Sequence, residues 1–133
     1  MTAARLSAAA ANNRRPSAID ETHLARMTLG DRRLEREVLE IFVRQTAIML
    51  DRIVDAEPAL AAAAAHTLKG SARGIGAWRV ARAAELLEQA ATADGGQGDV
   101  DEGIEELKAA SLDASAAIGA RLTEPLAEPA RDR

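Results

Sequence analysis

The sequence contains no cysteine and no tyrosine, a single phenylalanine, Phe42, and a single tryptophan, Trp78. Without cysteine there is no disulfide, no thiolate metal site and no cysteine nucleophile. So few aromatics argue against an all-β fold, whose strands favour aromatic and β-branched side chains. They argue equally against a binder of single-stranded nucleic acid, which stacks bases on aromatic platforms. Lys and Arg number 17 against 21 Asp and Glu, a net charge of −4, which is not the basic footprint of a DNA-binding domain. No apolar run approaches the roughly 20 residues that cross a bilayer. The opening MTAARLSAAAANNRRP has only a short alanine run closed by Arg14, Arg15 and Pro16, unlike a signal peptide.

What the chain does have is helix-forming material, chiefly Ala, Leu, Glu and Arg. Its 133 residues suit one domain that buries roughly two-thirds of its unfolded surface. Residues 1–16 read as a disordered leader, 17–122 as the folded domain, and 123–133, with two prolines and several charges, as a frayed tail. The alanine- and arginine-rich composition suggests a bacterium with a GC-rich genome.

Five helices are expected. The first runs from Ser17, its N-cap, to about Leu29, with Ile19, Leu24 and Met27 inward and Gly30 as its stop. Asp31 caps a long second helix reaching Ala56, with a buried stripe of Leu34, Val38, Ile41, Phe42, Ile48, Met49 and Ile53 and with Glu35 among the solvated positions. Pro58 opens a third helix that runs to about Arg73 before the break at Gly74, Ile75 and Gly76; Leu60, Ala64, Leu68 and Ile75 form its stripe. A fourth spans about Ala77 to Ala93, with Val80, Ala83, Ala84, Leu87 and Ala91 inward. After the Asp94–Gly98 loop, Asp99 and Glu102 resemble a capping box, and a fifth helix ends at Leu122. The fold expected is all-α: an antiparallel four-helix bundle with a short additional N-terminal helix capping one end.

There are two histidines. His23 reads as a solvated residue with no role. His66 points roughly 160° away from Leu68 on its helix, so it lies outside the core. The residues within about 60° of it are Ala59, Ala62, Ala63, Lys69, Gly70 and Arg73. Exposed helix faces normally carry long polar side chains. This one is shaved to alanine and glycine around an imidazole and framed by two cations. Gly70 inside a helix costs about 1 kcal/mol against alanine, and the close approach of another protein is a reason for it. An exposed imidazole between cations suits a phosphoryl group, and Lys69 lies one turn away to neutralise phosphate oxygens.

The run His66-Thr-Leu-Lys69-Gly70-Ser71-Ala72-Arg73-Gly74-Ile75-Gly76 resembles the signature of histidine-containing phosphotransfer (HPt) domains. Leu29-Gly30-Asp31 followed by Leu39-Glu40-Ile41-Phe42 is similar to the family's lead-in to its second helix, and the likeness covers about Ser17 to Leu122. The resemblance implies that His66 accepts phosphate on Nε2, that Lys69 stabilises the phosphoryl group and that Gly70 leaves room for the partner. It implies a polar residue in the next helix bonded to Nδ1. Spacing puts that position on Glu88, or on Gln89 if the register slips by one. Glu88 is then either the Nδ1 partner or a solvated helix residue. Arg73 touches phosphate, faces an acidic partner or is simply solvated.

The function expected is a phosphorelay intermediate, a phosphocarrier without a kinase domain of its own, since the chain has no glycine-rich nucleotide loop. His66 would take a phosphoryl group from an aspartate of one receiver domain and pass it to another, on a hybrid histidine kinase or a response regulator. No intrinsic cofactor or metal site is expected; Mg²⁺ would come with the receiver. The protein is expected to be a cytoplasmic monomer that binds neither nucleic acid nor membrane. The alternatives are a helical interaction module that carries no phosphate, and a fragment of a chemotaxis-type kinase phosphorylated by a kinase domain.

Overall fold

The structure, a computed structural model, describes residues 18–93 and 96–125. The expected leader, the Ser17 cap, Asp94, Gly95 and residues 126–133 of the tail lie outside the described residues. Within them the chain forms five α-helices and no strand: α1 (Glu21–Met27), α2 (Arg32–Val54), α3 (Pro58–Ile75), α4 (Trp78–Thr92) and α5 (Gln97–Thr123). The four long helices close a ring of contacts, with α2 on α3, α3 on α4, α4 on α5 and α5 back on α2, while α1 lies against α3.

The helix ends follow local chemistry. Asp20 caps α1 by accepting from the His23 N–H at 3.0 Å, so the helix starts later than Ser17. The chain then turns through Leu29 and Gly30, both at positive φ, and the Asp31 carboxylate accepts from the Arg33 and Leu34 N–H groups to start α2. Pro58 sits in the first turn of α3, where its missing N–H costs nothing. α3 runs through Gly74, and only Gly76 breaks it, at φ +83°. α5 departs from expectation. It begins at Gln97 behind Gly96, so Asp99 and Glu102 lie inside the helix and form no capping box. Gln97 instead bonds Asp101 one turn on, at 3.0 Å.

The core also differs from the expected stripes. On α2 the buried positions are Glu35, Leu39, Phe42, Thr46 and Ile53, whereas Leu34, Ile41 and Ile48 are 39%, 47% and 48% exposed. Phe42 and Ile53 are buried as expected, and Val38 and Met49 pack against the core, but Glu35, Leu39 and Thr46 take the inward places that apolar spacing gives to Leu34, Ile41 and Ile48. Glu35 can be buried because Arg121 of α5 binds it, along with Glu21 of α1, so a paired carboxylate stands where an apolar side chain was expected. Met27 and Leu60 are exposed at 56% and 64%. On α3 it is the alanines Ala61, Ala62, Ala65 and Ala72 that face inward with Leu68 and Ile75.

α1 is tied to the C-terminal end of α3. The Asp20 N–H donates to the Gly76 carbonyl at 2.9 Å, and the Trp78 indole N–H donates to the Asp20 carboxylate at 2.9 Å. His23 is half-buried, not solvated: its ring centroid is 4.9 Å from that of Trp78, and Nε2 donates to the Arg73 carbonyl at 3.0 Å. That carbonyl belongs to the last turn of α3, which has no partner within its own helix. At the other end of the chain Arg36 donates to the Leu122 and Glu124 carbonyls, satisfying the end of α5 in the same way.

Gly76 carries the tightest constraint in this join. A Cβ there would lie 2.9 Å from the Asp20 Cβ and 3.1 Å from its carbonyl oxygen, on a backbone already at φ +83°. Gly76→Ala should therefore cost about 2 kcal/mol and lower Tm by roughly 10 °C, read by circular dichroism melting. Wild-type stability in this variant would show that the α1–α3 join is not under constraint.

Candidate functional site

His66 stands in the middle of α3, with Ala61, Ala65, Leu68 and Ala72 turned into the core and its own side chain 66% exposed. The neighbouring α4 buries Val80, Ala81, Ala83, Ala84 and Leu87, which leaves Glu88 at the edge of the seam facing α3. Two buried alanine rows, Ala62 and Ala65 on α3 and Ala81 and Ala84 on α4, hold little bulk between the helices. A glutamate side chain then spans the gap.

Glu88 reaches two partners at once. Its Oε2 lies 2.9 Å from His66 Nδ1, and its Oε1 accepts from Lys69 Nζ at 2.9 Å. A carboxylate only accepts, so His66 Nδ1 carries the proton and the lone pair of the neutral ring sits on Nε2. The imidazole is thus held in one tautomer and orientation by the helix behind it, and its free nitrogen belongs to the exposed side chain. Lys69, by contrast, keeps its ammonium tucked against the seam, with only 15% of its side chain exposed.

The Glu88 carboxyl is held below the ordinary carboxylate range, first by the Lys69 hydrogen bond, with His66 adding to it and partial desolvation opposing both. A depressed carboxylate contributes stability that is present above its unfolded value and is lost as pH falls through its folded value. The His66–Glu88–Lys69 cluster is therefore complete at neutral pH and comes apart in acid.

The structure resolves the choice of register in favour of Glu88, and Gln89 is exposed one position on. Of the shaved face, Ala59, Ala63, Gly70 and Arg73 are exposed, and a Cβ at Gly70 would meet nothing within 4 Å. Ala62 is not part of that face. It is 6% exposed, because α4 packs over the side of α3 on which it lies. The Arg73 guanidinium lies 3.8 Å from Glu85 of α4 at the edge of the site. The pairing of Lys69 with Glu88 is absent from the sequence expectation, which directed Lys69 outward toward phosphate. The signal was available, since any helix register that sets Glu88 beside His66 also sets it beside the residue one turn on. Among the described residues no group of three or more His, Asp or Glu side chains is placed to hold a metal ion, and no helix is long and apolar enough to cross a membrane.

Carbon-13 NMR titration of the Glu88 carboxyl should give a midpoint below the ordinary glutamate range. Lys69→Ala should move that midpoint upward, and by more than His66→Gln does, because the ammonium is the larger of the two causes. A midpoint that follows His66→Gln but ignores Lys69→Ala would invert the assignment.

Among protein-family models, the one described as Hpt domain matches residues 37–122, which contain His66, Lys69 and Glu88. The searches of curated proteins and of solved structures gave no match. The matched segment covers roughly two-thirds of the chain and includes α2 from Glu37 onward, the whole of α3 and α4, and α5 as far as Leu122. The chain therefore belongs to the Hpt domain family of helical-bundle proteins, which serve histidine phosphotransfer in phosphorelays as phosphocarriers and not as kinases.

Proposed function

We propose that this protein is a phosphorelay intermediate in which His66 carries the phosphoryl group between receiver-domain aspartates. The observation that supports this reading most directly is the 2.9 Å contact between His66 Nδ1 and Glu88, with the rest of the imidazole exposed. The Nε2 lone pair attacks the phosphorus of an aspartyl phosphate. The P–O bond to the aspartate breaks, its electron pair leaves with the carboxylate, and the new N–P bond makes a phosphoimidazole. The Nδ1 proton stays on the ring, and the cationic ring that forms is stabilised by the Glu88 carboxylate. The second transfer reverses these steps onto another receiver. The acidic pocket and Mg²⁺ belong to the receiver, and catalysis consists mainly of positioning and charge neutralisation.

In this reading Lys69 turns from Glu88 to the phosphoryl oxygens once they arrive, and Arg73 frames the approach of the partner. The domain spans residues 17–122, with its four long helices running antiparallel and α1 closing one end. The partners are receiver domains of a hybrid histidine kinase or a response regulator. The protein works as a monomer in a bacterial cytoplasm, without a resident cofactor and without nucleic acid or membrane.

The test is incubation with a phosphorylated receiver in the presence of Mg²⁺, followed by acid-labile, base-stable label on this protein. Wild type should be labelled and His66→Gln should not, with far-UV circular dichroism unchanged. Glu88→Ala should still be labelled, about tenfold more slowly, because a charge-assisted hydrogen bond at an open site tunes the nucleophile without supplying the whole reaction. Label on His66→Gln would move the phosphoacceptor elsewhere.

A further inference from the structure

We propose that the groove between α2 and α5, on the side of the bundle away from His66, is a binding site for a small alkyl carboxylate held by Thr46, Ser111 and Lys108. This goes beyond phosphotransfer and does not rest on it. The inference begins from two hydroxyls. Thr46 and Ser111 are each 2% exposed, and neither side-chain oxygen has a hydrogen-bond partner among the described residues. A buried hydroxyl without a partner is destabilising, and folded proteins leave few of them. A threonine or serine in a helix has a ready remedy, since it can donate to the carbonyl one turn back. Thr67 and Thr92 do so, to Ala63 and Glu88. Thr46 on α2 and Ser111 on α5 do not, and both line the same groove.

The groove, of about 330 Å³, has the make-up of a small-molecule site: apolar walls and a few converging polar groups. Val43, Ala47 and Leu50 of α2 form one wall, and Leu112 of α5, 72% exposed, stands on the other. Lys108 is the one charged residue that lines it. Its ammonium lies 3.4 Å from the exposed Glu105, a surface contact of little strength that leaves it open to another anion. Lys108 and Ser111 are three residues apart and share a face of α5, and Thr46 meets that face from α2. All three are donors, and a carboxylate only accepts, so one carboxylate satisfies both hydroxyls and the ammonium together. From there the groove continues along α5. Val43 and Ser115 also line a second hollow, of about 360 Å³, with Gly119 and Leu122 in its floor and Glu40 and Arg44 at its margin. Gly119 lies inside α5, where alanine is the better helix former, yet a Cβ there would meet nothing within 4 Å. The missing side chain leaves an open path from Ser111 to Gly119, about 12 Å at 1.5 Å per residue. That path suits an unbranched alkyl chain of medium length. In the ring of helices the α2–α5 seam lies across from the α3–α4 seam, so an occupant does not cover His66.

Decanoate is the probe. Titrated into the nitrogen-15-labelled full chain, it should move the amide signals of Thr46, Ser111 and Leu112 saturably and leave those of His66 and Glu88 in place. It should also raise Tm with concentration, as any ligand of the folded state alone does. Thr46→Val and Ser111→Ala each remove an unpaired buried hydroxyl, so each should melt at or above the wild-type temperature while binding decanoate about tenfold more weakly. Lys108→Gln should weaken binding by a similar factor, and Gly119→Leu, which fills the path of the chain, should do so with the fold intact. Decanol, without the charge, and butyrate, without the long chain, should bind at least tenfold more weakly than decanoate. Failure to saturate, or an affinity that ignores both Thr46→Val and Lys108→Gln, makes decanoate an adventitious additive only and overturns the proposal. A lower Tm in both Thr46→Val and Ser111→Ala assigns the hydroxyls to internal water and overturns it. Sedimentation showing a wild-type dimer that Leu112→Glu splits also overturns it, because a second copy of the chain then covers the groove. Labelling of His66 by phosphoramidate should be the same with and without decanoate, and a slower rate with it would overturn the placement of the site away from the phosphoacceptor.

Discussion

The site depends on how closely α3 and α4 approach. Along their seam the buried side chains are mostly alanines, Ala61, Ala62, Ala65 and Ala72 from one helix and Ala81 and Ala84 from the other, with Leu68, Val80 and Leu87 filling the space behind them. Helix axes packed through large side chains stand at the upper end of the roughly 8–10 Å range, and small ones bring them to the lower end. A glutamate has two methylenes with which to cross that distance. Across this alanine-rich seam Glu88 meets both His66 and Lys69 at 2.9 Å. The alanine richness visible in composition is therefore a condition for the chemistry as well as for helix formation.

What secures the seam lies at its ends. Gly76 lets the chain reverse between α3 and α4 within two residues, and α1 is bonded onto that reversal through Asp20, His23 and Trp78. At the C-terminal end of α5, Arg121 joins the α5, α2 and α1 helices through Glu35 and Glu21. A buried carboxylate such as Glu35 is tolerable only while its partner is present, so this pair stabilises the arrangement of those helices more than it adds to net stability.

The starts of α2 and α3 were legible in the sequence because a chemically specific signal opens each, Asp31 before α2 and Pro58 at the start of α3, whereas α4 and α5 begin without a side-chain cap. The resemblance to HPt domains implied a polar partner for His66 in the next helix, and spacing put it on Glu88 or, one residue on, Gln89. The turn at Gly76 and Ala77 fixes the register of two regular helices, so a separation of 22 residues translates into one position in space. The inward face of α2 was not legible. Phe42 and Ile53 were read correctly, but apolar residues lie on two of its sides, and the burial of Glu35 rests on Arg121, 86 positions away. The same limit explains Ala62 and Leu60, where the approach of α4 decides which neighbour in a run of small and apolar residues is covered. His23 escaped for a related reason, since its partner is a main-chain carbonyl that has no signature in sequence.

The identity of residue 88 has a consequence for the proposed transfer. A carboxylate offers two oxygens and accepts from the imidazole Nδ1–H and the Lys69 ammonium together, whereas an amide offers one oxygen and would turn its own N–H groups toward the second donor. Glutamate at this position therefore holds Lys69 in the seam while the histidine is unmodified. An arriving phosphoryl group brings negative charge to the exposed nitrogen, one turn from the ammonium, and competes with Glu88 for it. In the proposed transfer the ammonium would then donate to phosphate in place of Glu88, while the positive charge developing on the ring would strengthen the Nδ1–H bond. On that proposal Glu88 would serve both states of the carrier, orienting a neutral imidazole before transfer and balancing a cationic one after it. The exchange of a single lysine between two acceptors requires no movement of the helices.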